Sequence, residues 1–314
     1  MPIPTRLVRL LLCCALLSCT LGVPATASAQ LSTSRGLFVT GATSADSTPT
    51  VFSRADMFAS IDMSTRRESR FQSSSYRAGA QVDAIRFGRA VSLGVLVGGE
   101  LQATPDNNIG FDPHGVIWEE ALMLSGRSAR WLRGGTWTFG GFLRCRHDVD
   151  NGTPARARDT AQFVFANGRT VVLQGFNGGI AGTLLKTGRF DVRAGTALDL
   201  YSRREDRRTP RNTVAPDWAQ ARGALELTLR ASVATSARSA AYLRAWQSTV
   251  HFKGTGDHML TNARGELGVR FLGPAGGIDL LVARERTFDD AMFAVPRAAT
   301  FTTIGLRLSG SNLF

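Results

Sequence analysis

The chain has 314 residues, a formal net charge of +12 and 33 glycines. Beyond the first thirty residues no apolar run approaches the ~18 residues of a membrane-spanning helix, and so much glycine disfavours long helices. Nearly all the positive charge is arginine, Lys186 and Lys253 being the only lysines; in a soluble protein that would suggest nucleic acid, which the leader excludes.

Residues 1–29 carry Arg6 and Arg9, the apolar stretch LLLCCALL and the small-residue triplet Ala27-Ser28-Ala29. A basic start, a short apolar run and an A-x-A end predict a cleaved secretory signal. An exported chain meets no genome, so its arginines are expected to meet anionic lipid headgroups or small anionic solutes; codon bias explains the charge equally well. A second reading takes Leu16–Cys19 (LLSC) as a lipidation box with Cys19 modified. Cleavage after Ala29 leaves one cysteine, Cys145, and a single thiol forms no internal disulfide. Residues 30–54 are rich in Ser and Thr and read as a tail, a partial plug or an extra strand pair.

From residue 55 onward apolar and polar residues alternate. Val91, Leu93, Val95, Val97 and Leu101 oppose Ser92, Gly94, Gly98, Glu100 and Gln102, and Leu225, Leu227, Leu229, Ala231 and Val233 oppose Glu226, Thr228, Arg230 and Ser232. A period of two over ten residues predicts strand. One face is aliphatic with Ala and Gly, and the other mixes small residues with both signs of charge, as a lipid-facing exterior and a polar lumen require. Twelve strands are predicted, near 55–63, 76–86, 90–103, 115–125, 136–148, 169–183, 189–202, 220–234, 240–252, 262–272, 278–287 and 298–309. Their connections alternate: FGR, LLKTGR, TSARS and GPAGG are short, GRSARWLRGG is intermediate, and the others are long and polar. Lipid cannot satisfy an open sheet edge, so the expected fold is all-β, a closed antiparallel transmembrane barrel.

Over residues 55–314 this pattern resembles the outer-membrane β-barrel proteins of Gram-negative bacteria. Phe314, in register with Leu306 and Leu308, resembles the C-terminal signal of such barrels, although Asn312 and Gly310 stand where apolar or aromatic residues are usual. The resemblance implies a place in the cell outer membrane, short periplasmic turns and long extracellular loops. It implies contact with outer-membrane lipid and lipopolysaccharide, and the outer-membrane assembly machinery as a partner. Residues 30–54 would then be a periplasmic segment or a partial plug. Nothing calls for a cofactor.

The inward parity collects Arg77, Asp83, Glu100, Arg144, Arg146, Asp148, Asp191, Arg193, Asp199, Glu226, Arg230, Arg264, Glu266, Arg270 and Arg307. Either these pair across strands and fill a narrow barrel, or they line a path for small anions. A twelve-strand lumen lies between a filled eight-strand barrel and an open sixteen-strand porin, so partial closure is expected. The expected function is a narrow passive channel or transporter, or a structural barrel, with an arginine-rich lumen.

The alternative is a lipid hydrolase resembling the outer-membrane phospholipases and lipid A deacylases, whose rim site pairs a His with a nearby Ser. His147 and Asn151-Gly152 resemble that pattern, but Val149 stands at the serine position, so the base lacks a local nucleophile. Cys145, two residues before His147, shares its face and is expected on the lipid side. Asp148, Asp150 and Asn151 suggest a calcium loop, with Gly152 one position early for that motif. These departures lean away from an enzyme.

Overall fold

The computed structural model describes residues 31–33, 37–39, 50–64, 74–87, 91–104, 112–128, 133–148, 169–208, 217–253, 258–273, 276–287 and 299–311. Two short strands, β1 (Leu31–Thr33) and β2 (Leu37–Val39), pair antiparallel. The next twelve close into a barrel: β3 (Thr50–Ser64), β4 (Ser74–Phe87), β5 (Val91–Thr104), β6 (Asp112–Ser128), β7 (Arg133–Asp148), β8 (Arg169–Thr187), β9 (Phe190–Arg208), β10 (Ala221–Ser236), β11 (Ser239–Phe252), β12 (His258–Leu272), β13 (Gly276–Thr287) and β14 (Ala299–Ser311). Each runs antiparallel to its neighbours, and β14 pairs with β3 from Thr303↔Ser64 to Ser311↔Asp56, which removes the last free edge. All twelve predicted strands are present. The first begins at Thr50, earlier than expected, because Thr50 and Val51 pair with Arg86 and Ile85 beyond a bulge before Arg54.

Short and long connections alternate. Gly188-Arg189 alone joins β8 to β9, Gly188 taking the positive φ of 53° that the tight turn requires, and Ala237-Arg238 alone joins β10 to β11. Residues 149–168 separate β7 from β8, and residues 288–298 separate β13 from β14. One rim of the barrel is therefore bound by turns and the other by loops.

Alternation puts aliphatic side chains outside. Leu227 is 46 % exposed, Phe139 54 % and Leu267 63 %, and Phe139 stacks on Phe176 across β7 and β8 with ring centroids 6.4 Å apart. Such a band would be untenable in water and is the surface a bilayer covers. Exposed Glu120 and Gln174 are among the polar residues that face outward with it: both align with Leu143, and Gln174 aligns with Arg203.

Candidate functional site

Inward positions of neighbouring strands lie opposite one another, so charges two residues apart along each strand meet partners across the ladder. Arg264 of β12 donates to Glu266 (2.7 Å), to Glu285 of β13 (2.8 Å) and to Asp62 of β3 (3.1 Å). Arg307 of β14 donates to Glu266 at 3.0 Å, and Arg244 of β11 lies 3.6 Å from the same carboxylate. Arg270 grips Asp279 through two bonds of 2.6 and 2.7 Å, while Arg77 bonds Glu100 at 3.1 Å and lies 3.5 Å from Asp62. Every member is buried. Five arginines and five carboxylates form this band, so its formal charges cancel. Desolvation is offset by multiple charge-assisted bonds, the condition under which buried charge is tolerated.

The opposite wall is different. Leu96, Met123, Phe142, Val171, Leu173, Tyr201, Val250 and Phe252 form a buried apolar cluster inside the barrel, with Phe142 edge-on to Tyr201 at 6.1 Å. A smaller ionic group sits beside it: Arg144 bonds Glu119 at 3.0 Å and lies 3.5 Å from Asp199, which also accepts from Asn177 at 2.6 Å.

Between these regions lies a cavity of about 130 Å³. Phe58, Val171, Leu173, Tyr201, Trp218, Trp246 and Val250 give it a mainly apolar wall, and Arg77, Glu100, Glu119, Arg144, Arg146 and Glu226 supply three charges of each sign. Trp218 belongs to a 3-10 turn, Trp218–Gln220, between β9 and β10, and sits at the loop end of the lumen. Asp217 caps the turn by accepting from Ala219 N (3.0 Å), Asp206 accepts from Trp218 N (2.9 Å), and the Trp218 ring meets Phe252 edge-on at 5.4 Å. The Nε1–H of Trp246, a residue only 6 % exposed, has no hydrogen-bond partner.

Toward the turn rim the inner wall turns cationic. Arg193, Arg230 and Arg244 lie in one register row across β9, β10 and β11. Buried Nε atoms of Arg193 and Arg230 have no hydrogen-bond acceptor among the described residues, and Arg230 lies 4.8 Å over the Tyr242 ring. Asp191 shares that inward face two residues from Arg193.

No family model and no curated protein matches the chain. Solved structures do. The transport unit of the autotransporter AIDA-I from Escherichia coli has a TM-score of 0.41 and 9% identity, covering 83% of this chain and 90% of that one. The outer membrane phospholipase A from Escherichia coli has a TM-score of 0.39 and 10% identity over 83% of this chain and 91% of its own. OmpF of Salmonella typhi has a TM-score of 0.35 and 8% identity over 82% and 96%. The fold is established by the chain's own closed, twelve-strand antiparallel β-barrel with an aliphatic exterior. The chemistry of the lumen is read from the residues themselves.

The barrel points inward all the charges that parity had assigned there and whose side chains are described: Arg77, Asp83, Glu100, Arg144, Arg146, Asp191, Arg193, Asp199, Glu226, Arg230, Arg264, Glu266, Arg270 and Arg307. It adds Asp62, Glu119, Arg244, Asp279 and Glu285, which carry much of the pairing and which the same parity would have found. The polar lumen is not uniform: the β6–β9 wall carries a buried apolar cluster beside Glu119, Arg144 and Asp199. Cys145 keeps its expected parity. Its position faces outward between Trp118 and Val172, yet the residue is buried, and His147 bonds not to it but to Thr170 of β8, Nδ1 to Oγ1 at 3.0 Å. The hydroxyl missing beside His147 in sequence thus arrives from the neighbouring strand. The Asp148 side chain, Asp150, Asn151 and Phe314 lie outside the described residues, and among those described no cluster suits a metal.

Proposed function

We propose that this protein is an outer-membrane channel of low conductance for small solutes. One observation supports the reading: the lumen keeps a cavity of about 130 Å³ under the loop rim instead of being packed along its whole length. The buried ion pairs that bridge strands narrow the passage beside that cavity. Arg193 and Arg230, two arginines beside the single carboxylate of Asp191, lie nearer the turn rim and favour small anions over cations there. In this reading the turns face the periplasm, the loops face outward among lipopolysaccharide, and residues 1–29 are removed on export.

The test is ion flux through purified barrel in planar bilayers. Wild type should give small, anion-preferring conductance, the double change Arg264→Ala with Glu266→Ala should enlarge it, and Arg193→Gln with Arg230→Gln should reduce the anion preference. If wild type and the Arg264/Glu266 variant are both impermeable while folded, the barrel is structural.

A second reading rests on the His147–Thr170 bond, which places a hydroxyl against an imidazole on the outer wall near the loop rim. A lipid hydrolase would use it on a bilayer-embedded ester. Release of fatty acid from mixed micelles by wild type, abolished by Thr170→Val, would establish this activity.

A further inference from the structure

We propose that Arg193 and Arg230 form a lumenal binding site for a small free oxyanion of the phosphate class. The two arginines are directly opposed in the β9–β10 ladder, and Arg244 is opposed to Arg230 on its other side. Cross-strand neighbours stand about 5 Å apart at Cβ, and like charges placed so destabilise a sheet. Arg77, Arg264, Arg270 and Arg307 each meet a carboxylate within 3.1 Å. Arg193 and Arg230 form no ion pair among the described residues. Asp191 shares the inward face of Arg193 without pairing with it. Asp279, the carboxylate whose charge acts on Arg230, is held by two bonds from Arg270 and lies 3.7 Å from Arg307, and Glu266 engages Arg244.

Three features make this a place for a ligand. Both side chains face the lumen and are only half-buried, and of each guanidinium only Nε is enclosed, which leaves the Nη groups open to the lumen. The neighbouring inward positions are small: Thr183 on β8, Gly195 on β9, and Thr228 and Ser232 on β10. Gly195 contributes no side chain next to Arg193, so an anion has room beside both guanidiniums. Finally, Arg230 is held 4.8 Å over the Tyr242 ring, which orients its guanidinium without neutralising it. Two guanidiniums beside one carboxylate leave an excess of positive charge, and their planar forks match the oxygens of an oxyanion better than a spherical halide. Because the pair faces the lumen, its ligand is a free solute and not the headgroup of a bilayer lipid on the far side of the wall. The proposal rests on the same cationic wall as the channel reading and adds to it a discrete, saturable site.

Protein in phosphatidylcholine nanodiscs can be titrated with inorganic phosphate and with chloride, and binding followed by isothermal titration calorimetry. Phosphate should saturate wild type and bind about tenfold more tightly than chloride. Arg193→Lys with Arg230→Lys keeps both charges but removes the forks, so it should weaken phosphate about tenfold and leave chloride nearly unchanged. Arg193→Gln with Arg230→Gln should abolish saturable binding; it also relieves the repulsion, so without phosphate its urea midpoint should be no lower than that of wild type. Arg203→Gln with Arg207→Gln removes the same charge from exposed side chains and should leave phosphate affinity unchanged. Each variant is first shown to be folded by its altered gel mobility before and after boiling. The proposal is overturned if wild type shows no saturable phosphate binding, if chloride competes at equal concentration, if the lysine pair binds phosphate as well as wild type, or if the Arg203/Arg207 variant loses binding as the glutamine pair does. Binding without conductance would keep this site and remove the channel; conductance without saturable phosphate binding would keep the channel and remove this site.

Discussion

The two sides of the inner wall obey one alternation rule and are held together by opposite physics. From β11 through β14 to β5 the inward side chains include Arg244, Arg264, Glu266, Arg270, Asp279, Glu285, Arg307, Asp62, Arg77 and Glu100, each fixed by a named partner. From β6 through β9 they include Met123, Phe142, Val171, Leu173 and Tyr201, which need only matching volume. The first wall depends on charge geometry and the second on shape. A substitution that preserves shape should therefore be harmful on one wall and tolerated on the other.

The largest effect is expected at Glu266, whose carboxylate serves Arg264, Arg307 and Arg244. Glu266→Gln keeps the shape but leaves buried guanidinium charge uncompensated, a loss of about 3–5 kcal/mol. Urea unfolding in detergent micelles should show it as a lower midpoint, and a variant as stable as wild type would remove the band as a source of stability.

The outer wall supplies a third environment. Leu227→Arg places a charge on the lipid face and should cost about 2–4 kcal/mol near the bilayer midplane, whereas inward-facing Thr228→Arg should cost less. The comparison needs refolding yield into liposomes for both; equal damage would contradict the sidedness of β10.

The smallest change is expected from Leu173→Met on the apolar wall. Leu173 is 3 % exposed within the inner cluster, and a volume-conserving swap there should cost less than about 1.5 kcal/mol. A loss as large as that of Glu266→Gln would mean that the apolar wall is as geometrically exacting as the ionic one.

Strand number, strand position and the lipid face were legible in the sequence because each depends on a local period. Leu225, Leu227, Leu229 and Val233 announce their side without reference to any other strand, and all are exposed. Inward parity was legible too, and with it the charges at Arg264, Glu266 and Arg307. Their partners were not. Asp62 and Arg264 are joined at 3.1 Å across 202 positions of chain, a relation created by closure and strand stagger. The cavity was hidden for the same reason: Phe58, Tyr201, Trp218 and Trp246 come from distant parts of the chain. Thr170 is likewise near His147 only through the β7–β8 register.

Ser202 has a wider consequence. Gln174 aligns with Arg203 and Gly175 with Tyr201, so Ser202 is an extra residue on β9, its hydroxyl donating to the Gln174 carbonyl at 3.1 Å. Before it, odd-numbered Asp199 and Tyr201 face the lumen; after it, odd-numbered Arg203 and Arg207 are exposed, and Asp206 reaches Trp218 at the lumen's loop end. A bulge of this kind shifts the phase of everything beyond it while leaving the ladder before it untouched. It works as punctuation in the strand: the membrane-crossing clause is closed, and the rim that follows can be rewritten in its own phase without disturbing the wall below.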